Sequence, residues 1–138
     1  MDPWILLIEN DEAHASIASR AIKQLHPRLT VRRFATAEEG LGTLHRIHQE
    51  SLSDWPLVVL LSASALVGDA VHHLRRLAEH RVTDRSEIVL LAKSEGGMLE
   101  IPAPELGIRG RIHPVSTLEG WIDQFHAIES IRRFLYGT

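Results

Sequence analysis

The chain has 138 residues and a mass of 15.5 kDa, the size of one ordinary domain that buries roughly two thirds of its unfolded surface. Hydrophobic residues are 44% and charged residues 24%, with 15 Lys and Arg against 18 Asp and Glu and a net charge of −3, which argues against disorder and against a dedicated nucleic-acid binder. The absence of cysteine excludes disulfides, thiol catalysis and thiolate metal sites, and fits a reducing cytoplasm.

Trp4–Ile8 is a short apolar run of the length of a strand buried on both faces. Asp11 is placed to cap a helix over Glu12–Leu25, where Ala13, Ile17, Ala18, Ala21, Ile22 and Leu25 recur at steps of three and four. Pro27 ends that helix, and Leu29–Phe34 reads as a second strand. Thr36-Ala-Glu-Glu39 is a capping box that opens a second helix with Leu41, Leu44 and Ile47 inward.

After a polar connection over Glu50–Trp55, Leu57–Leu61 is the most apolar strand and is expected at the centre of the sheet. A third helix is predicted from about Gly68 to His80, a loop over Arg81–Ser86, and a fourth strand over Ile88–Leu91. Between Lys93 and Leu106, Gly96, Gly97, Pro102 and Pro104 oppose a long helix. Gly110–Ile112 is a short fifth strand. Ser116-Thr-Leu-Glu119 is a second capping box, opening a helix with Leu118, Trp121, Ile122, Phe125 and Ile128 inward that reaches Phe134 or Leu135.

Strands alternating with helices predict a (βα)5 unit, a doubly wound parallel five-stranded α/β sheet with an irregular fourth helix, as one domain over residues 1–138. No apolar run is long enough to span a bilayer, and Met-Asp-Pro-Trp lacks the basic start of a secretory signal, so no membrane partner is expected. In such sheets ligands bind at the carboxyl ends of the strands, here Glu9–Glu12, Phe34–Thr36, Ser62–Ala65, Ala92–Ser94 and Ile112–Pro114.

These strand ends resemble the receiver domain of two-component response regulators, the CheY-like fold. Ile5-Leu-Leu-Ile-Glu-Asn-Asp-Glu12 is similar to the opening strand that runs into a cluster of acids. Trp55-Pro-Leu-Val-Val-Leu-Leu-Ser62 is similar to the strand that ends in the phosphorylated aspartate. Ile88-Val-Leu-Leu-Ala92 is similar to the strand ending in a switch hydroxyl, and Leu106-Gly-Ile-Arg-Gly-Arg-Ile-His-Pro114 to the segment ending in Lys-Pro. The long loops and the Arg133-Phe-Leu135 ending also resemble small regulators paired with bacterial phytochromes.

The resemblance places Ser62 at the phosphoacceptor position, and Ala92 and His113 at the two switch positions. It places Glu9, Asn10 and Asp11 in the acidic pocket that holds Mg²⁺ in the family, with Glu9 and Asp11 as the weak Mg²⁺ candidates. The family's Lys-Pro bond is typically cis, which leaves both isomers open for His113-Pro114. A serine is a weak nucleophile until a base takes its proton, and no such base is identifiable in the sequence. Loss of two carboxylates weakens a Mg²⁺ cage, and Ala92 has no hydroxyl to follow a phosphoryl group. The expectation is therefore a degenerate receiver, or pseudo-receiver: not an enzyme, without a cofactor, and acting in phosphorelay signalling as a phosphorylation-independent protein-interaction module.

Its partner would be a histidine kinase, another regulator or a second copy of itself. Leu99, Ile101, Pro102 and Pro104, with the outer face of the last helix, form the expected interaction surface. Two alternatives are a receiver with residual Mg²⁺-dependent phosphoryl binding or transfer, and a flavodoxin-like small-ligand module. The loop after the first strand is acidic and lacks glycine, which opposes a phosphate cradle. His45/His48, at i,i+3, share a helix face, but neither they nor His72/His73 have a third ligand at a matching position, and both pairs read, like Arg75/Arg76 and Arg132/Arg133, as solvated faces.

Overall fold

The computed structural model of the chain describes residues 2–92 and 106–137. Strand β1 (Trp4–Ile8) is buried along its whole length, as expected for a run with no polar residue. Asp11 caps α1 (Glu12–Leu25) by accepting the His14 N–H at 2.9 Å, and Thr36 caps α2 (Ala37–Gln49) by accepting the Glu39 N–H. Between them lies β2 (Thr30–Phe34), an edge strand whose residues are mostly exposed.

Strand β3 (Val58–Ser62) is fully buried and central in the parallel order β2-β1-β3-β4-β5. A 3₁₀ turn over Ala63–Ala65 follows it, then α3 (Ala70–Glu79). Gly68 adopts φ +59°, a left-handed geometry no helix admits, so α3 begins two residues later than the apolar periodicity suggests. The expected loop before β4 (Glu87–Leu91) contains a 3₁₀ turn over Val82–Asp84.

Strand β5 (Ile108–Ile112) pairs with β4 across a register shift at Ile88/Val89. The last helix departs from expectation. It is two helices, α4 (Leu118–His126) and α5 (Glu129–Tyr136), separated at Ile128, whose φ of −75° and ψ of 122° are extended. No Gly or Pro marks the break. Instead, Glu87 at the start of β4 accepts the Ser130 N–H at 3.0 Å and caps α5 in place of its own apolar N-cap residue.

The sheet carries one core layer on each face. Trp4, Leu6, Ile8, Val59 and Leu61 pack under α2 and α3, while Ile5, Leu7, Val58 and Leu60 pack with α1, α4 and α5. Helix α2 sits so close to β1 that a Cβ on Gly40 would lie 2.5 Å from Ile8 Cδ1. Any larger residue there would have to push the Ile8 side chain aside.

Leu99, Ile101, Pro102 and Pro104 lie outside the described residues, as does most of the irregular segment. Leu106, at its end, is fully buried and packs in the α2/α3 layer, so it does not belong to an exposed recognition surface. Among the described residues, no helix is long and apolar enough to cross a membrane.

Candidate functional site

Parallel register brings the strand ends together. Ile8 pairs with both Phe34 and Leu61, and Leu91 pairs with Ser62 and Ile112. The residues that leave β1, β3, β4 and β5 therefore emerge side by side at one end of the sheet.

Glu9 is buried, with 2% of its surface exposed. Its Oε1 accepts the Asp11 N–H at 3.1 Å, while Oε2 is buried without a partner among the described residues. Arg33 on β2, whose register partner is Leu7, donates from Nε and Nη2 to the Glu9 carbonyl at 3.0 and 2.9 Å. A fixed guanidinium thus stands at the acidic end of β1. Asp11 is turned outward to cap α1. Its carboxyl is held below the usual range by the His14 N–H first, with the Arg33 charge adding to it.

Ser62 ends β3 and is 5% exposed. Its Oγ lies 2.8 Å from Ser64 Oγ, and Ser64 donates to Asn10 Oδ1 at 3.0 Å. Since the one Ser64 proton goes to Asn10, Ser62 donates to Ser64. The chain ends on a neutral amide oxygen, which accepts a hydrogen bond but takes no proton. Among the described residues no general base stands within hydrogen-bond reach of Ser62, and its hydroxyl is engaged as a donor.

Ala92 is buried, and its N–H donates to the Ile112 carbonyl at 3.0 Å. His113 Nδ1 lies 2.9 Å from the Ala92 carbonyl, which can only accept, so Nδ1 carries a proton. Gln124 on α4 accepts the His113 N–H and donates to its carbonyl, both at 2.6 Å. The His113–Pro114 bond is trans, as no described peptide bond is cis. The site is thus divided in two: Asn10, Ser62 and Ser64 form one chain, Ala92, His113 and Gln124 another. Among the described residues no hydrogen bond joins them. Arg33, Ser64 and Gln124 were not among the residues the sequence singled out.

The family's Mg²⁺ does not fit this donor set. One carboxylate, Glu9, keeps an oxygen without a partner among the described residues, and that oxygen is buried. Asp11 is engaged as a cap, Asn10 by Ser64, and Ser62 is a neutral hydroxyl. A hard divalent ion needs several anionic oxygens. Among the described residues no group of three acids, histidines or cysteines is arranged to hold a metal.

No protein-family model matches the sequence, and no curated protein matches it. Solved structures do. The response regulator RPA3017 in red light signalling of R. palustris is 18% identical, with TM-score 0.72 over 99% of this chain and 95% of its own. The phosphorylated cyanobacterial phytochrome response regulator RcpA is 16% identical, with TM-score 0.72 over 98% of this chain and 94% of its own. A two-component response regulator from Legionella pneumophila is 16% identical, with TM-score 0.71 over 99% of both chains. The chain has the response-regulator receiver fold. Against that fold, Ser62 closes the central strand where the resemblance expects an aspartate, and Ala92 and His113 close the two strands beyond it.

Histidines pair between α2 and the α3 region as well as along α3, where the His72 and His73 rings lie 6.2 Å apart. Rings of His45 on α2 and His73 on α3 lie 6.0 Å apart, and those of His48 and His80 lie 5.0 Å apart. This corrects the reading of a purely solvated face: His45 is half-buried, and its Nε2 is buried without a partner among the described residues. Burial first, then the cations Arg76, His73 and His80, push the His45 pKa below 6.5. The unfolded chain then takes up this proton at a higher pH than the folded one. Stability is complete above 6.5 and falls as pH drops below it, toward the lower folded value. Urea melts at about pH 7.5 and about pH 5.5 should show this loss, and His45→Gln should reduce it. An equal pH slope in the variant would remove His45 as its source.

Proposed function

We propose that this chain is a pseudo-receiver: a cytoplasmic signalling module that works in a two-component system without aspartyl phosphorylation and without catalysis. The observation that carries this reading is the Ser62 hydroxyl, tied through Ser64 to the neutral Asn10 amide where the receiver fold calls for an ionised nucleophile. Phosphoryl transfer needs an in-line nucleophile and cations against the equatorial oxygens. Here the nucleophile has no base, the donor set suits no Mg²⁺, and His113 is held on the Ala92 carbonyl. A missing switch hydroxyl at Ala92 removes the usual response to a new phosphoryl group.

Such a module signals by being bound. Its partner is a histidine kinase, another regulator or a second copy of the chain, and nucleic acid is disfavoured by the net charge of −3. The test is an amide NMR titration with Mg²⁺ and beryllofluoride, paired with intact mass after incubation with acetyl phosphate. No shifts at Ser62, Ala92 and His113, and no added mass, are expected. Saturable shifts at those residues, or a phosphorylated species, would overturn the reading in favour of a receiver with residual phosphoryl chemistry.

A further inference from the structure

At the opposite end of the sheet, where β3, β4 and β5 begin, the structure has a cleft of ≈ 580 Å³. That is the size range of small-ligand pockets, about 300–1,000 Å³. The break at Ile128 shapes it, because α5 restarts there on Glu87 instead of continuing the line of α4. Its wall has both aromatic and charged parts. Trp55 and Phe134 supply flat apolar surface, and each is half-buried.

The charges are unbalanced once their partners are assigned. Asp84 pairs with Arg81 at 3.3 Å, Glu129 with Arg133, and Glu87 accepts the Ser130 N–H. Asp84 and Glu129 are thus paired with cations, while Glu87 keeps its charge because its partner is a neutral N–H. Two of the cleft's arginines, Arg85 just after the 3₁₀ turn and Arg109 at the start of β5, have no ion pair among the described residues. The Ser130 hydroxyl in the same wall is buried and has no partner among the described residues. A buried hydroxyl without a partner is uncommon and calls for an explanation.

We propose that this cleft binds a small organic anion, its phosphate or carboxylate held by Arg85 and Arg109 and its flat apolar body against Trp55 and Phe134. Guanidinium forks match both anionic groups, and the aromatic walls discriminate a ring-bearing anion from an inorganic one. The site lies away from Ser62 and is independent of the pseudo-receiver reading.

The test uses the full chain and amide NMR, with adenosine monophosphate and benzoate as the anionic probes and adenosine and inorganic phosphate as controls. At least one anionic probe should give saturable shifts at Arg85, Arg109 and Ser130, and each control should bind about tenfold more weakly than that probe, roughly the contribution of one charged or stacking contact. Arg85→Gln and Arg109→Gln should each weaken the binding about tenfold, with thermal melts establishing that both variants fold. Failure of both probes to saturate, shifts centred on Ser62 instead, or unchanged affinity in folded variants would each overturn the proposal.

Discussion

Ser62→Asp is expected to destabilise the protein by about 3 kcal/mol in metal-free buffer at neutral pH, the scale of a buried charge left without a partner. The pairing of Ile8 with Leu61 makes Glu9 and Ser62 the next neighbours on adjacent strands, which lie about 4.8 Å apart. Glu9 already holds a buried carboxylate oxygen without a partner, and Ser62 is 5% exposed. A second carboxylate there meets like charge and loses water. Ser62→Asn, of the same size and neutral, is expected to cost about 1 kcal/mol, the range of a re-formed hydrogen bond. Added Mg²⁺ should raise the melting temperature of Ser62→Asp by several degrees, since two acids now offer it hard oxygens, and leave the natural chain unmoved. Urea melts of the three proteins, with and without Mg²⁺, decide this. A Ser62→Asp variant as stable as the parent would mean that the pocket is solvated and that Ser62 is not part of a closed neutral network.

The fold was legible because its signals are local. Trp4–Ile8 and Val58–Ser62 are buried throughout, and Trp4–Ile8 and Leu57–Leu61 each stand in the sequence as an apolar run that ends at a polar residue. The Thr36 cap forms as its spacing requires, whereas the second cap is shifted by one residue: Thr117, not Ser116, heads α4 and accepts the Gly120 N–H. The break between α4 and α5 was illegible for the opposite reason. Ile128 and its neighbours carry no breaker, and the group that stabilises the break, Glu87, lies 43 residues upstream. Helical periodicity reports which face is buried, not whether a distant side chain restarts the helix.

The candidate site divides in the same way. Glu9, Asn10, Ser62, Ala92 and His113 were found because they lie at or just beyond strand ends whose sequences resemble those of receivers. Ser64 had a usable signal, a second hydroxyl two residues after the strand end. Arg33 reads as an ordinary edge-strand cation, and only the pairing of β1 with β2 places its guanidinium on the Glu9 carbonyl, 24 residues away. Together these residues place a resident cation and a neutral hydrogen-bond chain at the strand ends, which is what the proposed pseudo-receiver reading rests on. The acidic end of β1 keeps its acids but gains a permanent counter-charge.

Trp121→Ala is expected to cost about 3–5 kcal/mol, the range for removing a fully buried aromatic side chain. Trp121 has no exposed surface and packs on Phe125 with ring centroids 5.5 Å apart, in the layer that joins α4 to α1. Its indole N–H donates to the Val115 carbonyl at 2.7 Å, in the loop that leaves β5 through His113. The loop lies so close to α4 that a Cβ on Gly120 would come within 2.9 Å of Val115 Cγ2. Trp121 therefore does two things: it fills the core and anchors the loop that Gln124 grips from the same helix. Trp121→Phe separates them. It keeps most of the ring packing and loses the indole hydrogen bond, so a cost of about 1–2 kcal/mol is expected. In the phenylalanine variant the Gln124 bonds to His113 should persist, and the His113 amide should keep its slow exchange. In the alanine variant α4 loses its seat against α1, and that amide should exchange faster than the stability loss alone predicts. If both variants lose the same stability, the hydrogen bond to Val115 and not the packing holds the loop, and α4 has no independent hold on His113.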